Sequence, residues 1–171
     1  MERTNEHDSW KDWIEAHGPK LLLCARQWTR SLADAEDVLQ EAFVRYWRHQ
    51  RHLPGDPMAL IVTSIRRAAL DLARREDRRA AREEKSDGGL AEPPIQFERL
   101  PGEGDERRLE IEAALQRLPA EQREVLALKI WQEFTFEQIG EALGIPPNTA
   151  ASRYRYALNA LRKQLEPLCH G

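Results

Sequence analysis

Hydrophobic residues recur along most of the chain at intervals of three and four, the period of one face of an α-helix. Within residues 31–50, the apolar positions follow the order i, i+3, i+4, i+7 and i+11. Strict alternation of apolar and polar residues, which is typical of half-buried β-strands, is hard to find. The pattern therefore predicts an all-α protein. The positions that define this helix are Ala35, Val38, Leu39, Ala42 and Tyr46.

Prolines and capping residues divide the first half of the chain into helices. An early apolar run is interrupted at Pro19, and we expect a helix to continue beyond it with the proline in its first turn. Ser31 or Asp34 is a candidate N-cap for the next helix, and Asp56 followed by Pro57 is a start signal for a third. The residues of this third helix that we expect to be buried are Ile61, Ile65, Ala68 and Leu72.

The composition changes in residues 86–104, which hold four of the nine glycines and three of the ten prolines. Such a stretch is typical of a linker between domains. We therefore predict two small helical domains, at residues 8–85 and 105–168, joined by a linker at 86–104.

The second half contains the pattern of a helix-turn-helix. Thr135 and Gln138 match a capping box, in which each residue caps the other at a helix start. Gly144 stands where a left-handed helix end belongs, and Pro147 opens another helix. We expect the inward face of this last helix to consist of Ala150, Tyr154, Ala157, Leu158, Leu161 and Leu165.

The exposed face of that last helix is free of negative charge, although the whole chain carries a formal net charge of -3. A helix inserted between two rows of DNA phosphates favours arginine and excludes carboxylates. The pattern indicates a recognition helix, and the alternative is a helical hairpin with a solvated basic face. The candidate DNA-facing residues are Asn148, Thr149, Ala151, Ser152, Arg153, Arg155 and Tyr156.

Two further helical faces carry concentrated charge. Asp37, Gln40 and Glu41 share one face of the second helix, which fits a solvated surface, a protein interface or a pair of catalytic carboxylates. Residues 66–85 contain eight basic and five acidic residues. Single-stranded or duplex DNA can lie against such a helix, whereas the alternative is a solvated helix with internal ion pairs. The candidate pairs are Asp71 with Arg75 and Arg79 with Glu83.

Several classes of function lack support in the sequence. The two cysteines lie far apart, and the five histidines are scattered, so we expect no metal site and no disulfide. No cofactor motif, nucleophile or phosphate-binding loop indicates an enzyme. The charged N-terminus has no apolar core of a signal peptide, and the apolar runs are too short to insert into a membrane. We therefore expect a cytoplasmic, non-enzymatic protein.

The order of these parts resembles bacterial RNA polymerase sigma factors of the extracytoplasmic-function group. The segment DAEDVLQEAFVRYWR looks like their region 2.2, and DPMALIVTSIRRAALDLARR looks like regions 2.3 and 2.4. The segment LPAEQREVLALKIWQEFTFEQIGEALGIPPNTAASRYRYALNALRKQL looks like region 4. The resemblance covers roughly residues 10–82 and 107–165. Two motifs in this order and at this separation are more specific than either motif alone.

The resemblance implies a transcription initiation factor that binds core RNA polymerase and recognises the −10 and −35 promoter elements. Asp37, Gln40 and Glu41 would bind the clamp helices of the β′ subunit. The second domain would read the −35 element through the recognition helix and contact the β flap, and the linker would lie toward the RNA exit path. An anti-sigma factor is a possible further partner. The residues that would capture and help to melt the −10 element include His52, Ser64, Arg66, Arg67 and Arg74.

The sequence departs from the family pattern at four positions. Ala151 and Tyr156 stand where the family often has cations, which puts the −35 preference in doubt. Leu60 stands where the family frequently has tryptophan, and Arg67 stands where it frequently has asparagine, which puts the −10 base preference in doubt. The alternative function is a helix-turn-helix regulator that binds duplex DNA without polymerase. It leaves the acidic and arginine-rich helices unexplained.

Overall fold

The computed structural model describes residues 3–84 and 106–169, and within these ranges the regular structure is entirely helical. The predicted linker, residues 86–104, lies outside the described residues. A π-helical turn, Tyr46–Gln50, continues the second helix. The seven α-helices of the described ranges are α1 Arg3–Trp28, α2 Leu32–Arg45, α3 Pro57–Glu84, α4 Glu106–Arg117, α5 Ala120–Trp131, α6 Phe136–Leu143 and α7 Pro147–Cys169. The predicted all-α fold is therefore confirmed.

The starts of α2 and α3 follow the predicted capping residues. The Ser31 side chain accepts a hydrogen bond from the backbone N–H of Asp34 at 3.1 Å, so Ser31 is the N-cap of α2. Asp56 Oδ1 accepts from the backbone N–H of Met58 at 3.0 Å at the start of α3. Both contacts satisfy backbone donors that have no partner inside the helix.

The expected helix start at Pro19 is wrong, because α1 runs without a break through this residue. A proline inside a helix removes one backbone hydrogen bond and costs about 3 kcal/mol. Packing on both sides of the proline opposes this cost. Trp10 and Trp13 lie against the core before Pro19, and Leu21 is completely buried after it.

The helix-turn-helix forms as predicted from α6 and α7. Thr135 and Gln138 form the reciprocal capping box, and Gly144 adopts a left-handed conformation with φ 68°. The turn then folds back closely on α6. A Cβ at Gly140 would lie 2.6 Å from the carbonyl oxygen of Ile145, so the absence of a side chain permits this approach.

One hydrophobic core joins the two halves of the chain. The N-terminal half contributes Leu21 and Ile65, and the C-terminal half contributes Val125, Leu128 and Ile139, all completely buried. Helix α1 packs against α5, and α3 packs against α6. A smaller cluster of Leu118, Leu126 and Ala157 fastens α4, α5 and α7 to one another.

Three detailed expectations differ from the structure. Leu158, predicted to face inward, is 38% exposed, because the buried seam of α7 follows Ala150 and Ala157. Asp71 pairs with Arg74 at 3.6 Å rather than with Arg75, whereas the predicted pair of Arg79 and Glu83 is present at 2.9 Å. In α3, Ala68 and Leu72 are half-buried against the core, and the fully buried positions are Ile61, Val62, Ser64, Ile65 and Ala69.

Candidate polymerase and nucleic-acid interfaces

Helix α2 separates a buried apolar face from an exposed polar face. Ala35, Val38, Leu39 and Ala42 are buried, which fixes the rotation of the helix. The three predicted polymerase-binding residues are exposed on the other side, and none of them is ion-paired within the described residues. Helical spacing also places Val44, which is 44% exposed, one turn beyond Glu41. We call Asp37, Gln40, Glu41 and Val44 the α2 polar strip.

The segment between α2 and α3 is tied to its neighbours by polar contacts. The Arg51 guanidinium lies 4.5 Å from the centre of the Trp47 ring, and its Nε donates to His52 Nε2 at 3.1 Å. At the base of the segment, Ser64 Oγ donates to Gln50 Oε1 at 3.5 Å. These contacts connect the start of the segment to α3 and place the exposed side chain of His52 beside Arg51.

The basic residues predicted to meet the −10 element differ in accessibility. Arg67 and Arg74 are exposed, and Arg74 forms an ion pair with Asp71 at 3.6 Å on the same helix. Ser64 is just 6% exposed, so its hydroxyl lies beneath the surface that carries the arginines. The Arg66 side chain is one-quarter exposed and contacts Glu124.

The recognition helix α7 presents its predicted residues unevenly. Asn148, Arg155 and Tyr156 are exposed, and the Arg155 guanidinium lies 5.5 Å from the Tyr156 ring centre. Thr149, Ala151 and Ser152 are half-buried beside them. Arg153 is also half-buried, because its Nη2 is bound by Glu121 of α5 at 3.3 Å. Among the described residues Arg155 has no acidic partner and contacts only the Tyr156 ring, whereas Arg153 forms an ion pair with Glu121.

Glu124 is a buried carboxylate that connects the two halves. Its Oε2 accepts from Trp28 Nε1 of α1 at 2.8 Å and from Arg66 Nε of α3 at 3.3 Å. The side chain is 10% exposed. The same carboxylate opposes the effect of burial on the neighbouring Arg123, whose pKa burial lowers. Charge-assisted bonds in such an environment are stronger than those between neutral groups.

Two family models match the chain over most of its length. "Sigma-70 region 2" matches residues 13–79, and "Sigma-70, region 4" matches residues 108–161. The chain is 32% identical over 160 residues to the ECF RNA polymerase sigma factor SigL of Mycobacterium tuberculosis, covering 90% of this chain and 87% of that protein. The chain belongs to the extracytoplasmic-function sigma factors.

Other relatives of this sigma factor give the same result. RNA polymerase sigma factor CarQ of Myxococcus xanthus is 29% identical over 171 residues, covering 97% of this chain and 94% of the relative. Among solved structures, the sigma factor RpoE of Bartonella quintana, in complex with the anti-sigma factor NepR, matches with a TM-score of 0.69. That match has 24% identity and covers 92% of this chain and 97% of RpoE, so it supports the fold.

This sigma factor is accordingly a transcription initiation factor that binds core RNA polymerase and directs it to promoters. Within the described ranges, no helix combines the length and hydrophobicity needed to cross a bilayer. Over the same ranges, no group of three or more His, Cys, Asp or Glu side chains is arranged to hold a metal.

Sequence reasoning missed two residues of these candidate sites, the exposed Val44 and the buried Glu124. Val44 had a signal, since it follows Asp37 by seven positions and therefore shares its face. Glu124 had none that helical periodicity can supply, because its partners lie 96 and 58 residues away in the chain.

Proposed function

We propose that this sigma factor binds the β′ clamp helices of core RNA polymerase through the α2 polar strip. The exposure of this strip on a helix whose opposite face is locked into the core supports the assignment. Asp37 and Glu41 supply charge, Gln40 supplies hydrogen bonds, and Val44 supplies apolar area. Such a mixture, with one apolar anchor beside polar groups, suits a specific protein interface.

The surface formed by the 51–56 segment and α3 would capture the −10 element. His52, Arg67 and Arg74 are exposed and suited to direct contact with the single strand. Ser64 is buried, so its role would be to position Gln50 and the segment above it. Arg66 would join the surface once its contact with Glu124 is released.

The exposed face of α7 would read the −35 element in the major groove. Arg155 suits a guanine edge or a phosphate, and the methyl group of Ala151 suits a thymine methyl. Arg153 would hold a phosphate only by leaving Glu121. The remaining contacts would come from Asn148, Thr149, Ser152 and Tyr156.

We assign these roles to functional domains at residues 8–85 and 105–168, with residues 86–104 as the linker between them. The second domain would also contact the β flap. An anti-sigma factor that covers these surfaces is a partner of the kind seen with RpoE of Bartonella quintana. The protein would act in the cytoplasm, and it would work by binding rather than by catalysis.

The decisive experiment is co-elution of the purified chain with bacterial core RNA polymerase on a sizing column. Asp37→Lys should weaken binding at least tenfold, about 1.4 kcal/mol, because it reverses charge in the α2 polar strip. Glu36→Lys is the matched control, since Glu36 is exposed on the same helix but lies about 100° away from Asp37. Equal loss in both variants, or no loss in either, would contradict the assignment.

A further inference from the structure

The two DNA-reading halves of this sigma factor are closed onto one another. We call this the closed arrangement, in which α1 and α3 lie against α5 and α6 around a shared core. Its polar centre is Glu124, whose single oxygen Oε2 receives one donor from α1 and one from α3. The carboxylate therefore links the second half to two separate helices of the first.

Arg66, one of these two donors, lies next to Arg67 on the arginine-rich helix. Its Nε bond at 3.3 Å is directed to a carboxylate oxygen instead of to solvent. A carboxylate oxygen and a DNA phosphate oxygen are both anionic acceptors for a guanidinium. Glu124 therefore binds the Nε–H of Arg66, and a DNA phosphate could bind this donor only after the contact with Glu124 is broken.

In the closed arrangement, the two halves also lie too close together to bind both promoter elements at once. By their positions, −10 and −35, the two elements lie about 25 base pairs apart, which is about 85 Å along B-form DNA at about 3.4 Å per base pair. Helices in direct packing contact have axes only about 8–10 Å apart. Both elements can be bound at once only after α5 and α6 have left α1 and α3.

We propose that Glu124 is an internal phosphate mimic that holds the free sigma factor in a self-inhibited state. In the closed arrangement, Glu124 occupies the Nε–H of Arg66 and holds α5 against α1 and α3. Core polymerase and promoter DNA must replace the bonds from Trp28 and Arg66 before the protein can act. The part of the proposal that concerns DNA rests on the proposed −10 role of Arg66, whereas the closure itself does not.

The reactivity of the Cys24 thiol can be used to measure closure. Cys24 of α1 is completely buried, and Gln132, at the end of α5, donates to its sulfur at 3.3 Å. Burial raises the pKa of the Cys24 thiol to about 12. Because the thiolate is the reactive form, a closed protein should resist thiol reagents, and opening should speed the reaction.

The first test measures the rate at which a thiol reagent modifies Cys24 in the free full-length protein, with Cys169→Ser as the common background. The wild-type rate should be at least 100-fold below that of the urea-unfolded chain. Glu124→Gln, which retains an acceptor but loses the charge, should raise the rate about tenfold. It should also increase the radius of gyration in solution scattering, with unchanged helicity by circular dichroism.

Glu141→Gln is the matched control, because it removes the same charge from an exposed site on α6. It should leave both the rate and the radius unchanged. Identical behaviour of Glu124→Gln and Glu141→Gln, or a wild-type rate equal to that of the unfolded chain, would overturn the proposal. If Glu124→Gln loses helicity, Trp28→Phe replaces it, since it removes one donor and should give about a threefold increase.

The second test measures affinity for a mixed-sequence single-stranded 20-mer without polymerase. Glu124→Gln should bind about three to ten times more tightly than Glu141→Gln, although the two variants have the same net charge. Equal affinity would reject the phosphate mimic while leaving the polymerase-binding assignment intact. Failure of wild-type co-elution with core polymerase, with opening still observed, would instead reject the proposed function and leave closure standing.

Discussion

The carboxylates of α2 and the carboxylate of Glu124 occupy opposite environments in one small protein. Asp37 and Glu41 are exposed and have no ion-pair partner within the described residues, whereas Glu124 is buried and binds two donors. A solvated carboxylate without a protein partner costs little free energy, because water solvates its charge. A buried carboxylate must be paired inside the protein, because an unpaired buried charge is strongly destabilising. This difference fits the two proposals, in which α2 binds core polymerase and Glu124 holds the free protein closed.

The largest expected effect comes from removing a partner of the buried carboxylate. Arg66→Ala should lower the free energy of unfolding by roughly 2–3 kcal/mol, because Glu124 keeps its charge and loses its cation. Arg67→Ala, at the exposed neighbouring position, should change it by less than about 0.5 kcal/mol. Urea unfolding followed by circular dichroism measures both. An equal loss of unfolding free energy in the two variants would contradict the expectation that the buried Glu124 contact stabilises the protein more than an exposed arginine does.

A second comparison separates the two faces of α2 itself. Val38→Ala should lower the free energy of unfolding by about 2 kcal/mol, because Val38 is 3% exposed in the core. Val44→Ala should leave stability nearly unchanged and weaken polymerase binding about threefold to tenfold, because Val44 belongs to the α2 polar strip. Thermal unfolding and the affinity for core polymerase provide the two readouts. Loss of stability in Val44→Ala would show that this face serves the fold.

The smallest effect is the response to salt. Raising the ionic strength from about 0.1 M to 1 M shortens the screening length from about 10 Å to about 3 Å, which weakens exposed charges most. Polymerase binding through Asp37 and Glu41 should fall with salt. The Cys24 modification rate should stay within about twofold, because the contacts of Glu124 are shielded from solvent. If salt raises the Cys24 modification rate by the same factor by which it weakens polymerase binding, the exposed α2 carboxylates and the buried Glu124 respond alike to screening.

Local sequence rules worked where neighbouring residues decide the structure. Ser31, Thr135 and Gly144 cap their helices as predicted, since a cap depends on the few residues that follow or precede it. The rules failed at Pro19, where tertiary packing on both sides carries the helix through a break signal. They also failed at Leu158, because an apolar residue in the predicted stripe lies outside the seam that α7 buries.

The sequence by itself determined most of the helices, most of their apolar faces, the capped helix-turn-helix and the shared face of Asp37, Gln40 and Glu41. All of these follow from periodicities of three or four residues and from the chemistry of helix ends. Only the tertiary structure decided that α1 packs against α5 and that Gln132 donates a hydrogen bond to Cys24. It alone also decided that Glu124 accepts hydrogen bonds from Trp28 and Arg66. Those contacts join residues 58 to 108 positions apart, and no local pattern encodes which buried carboxylate meets which distant donor.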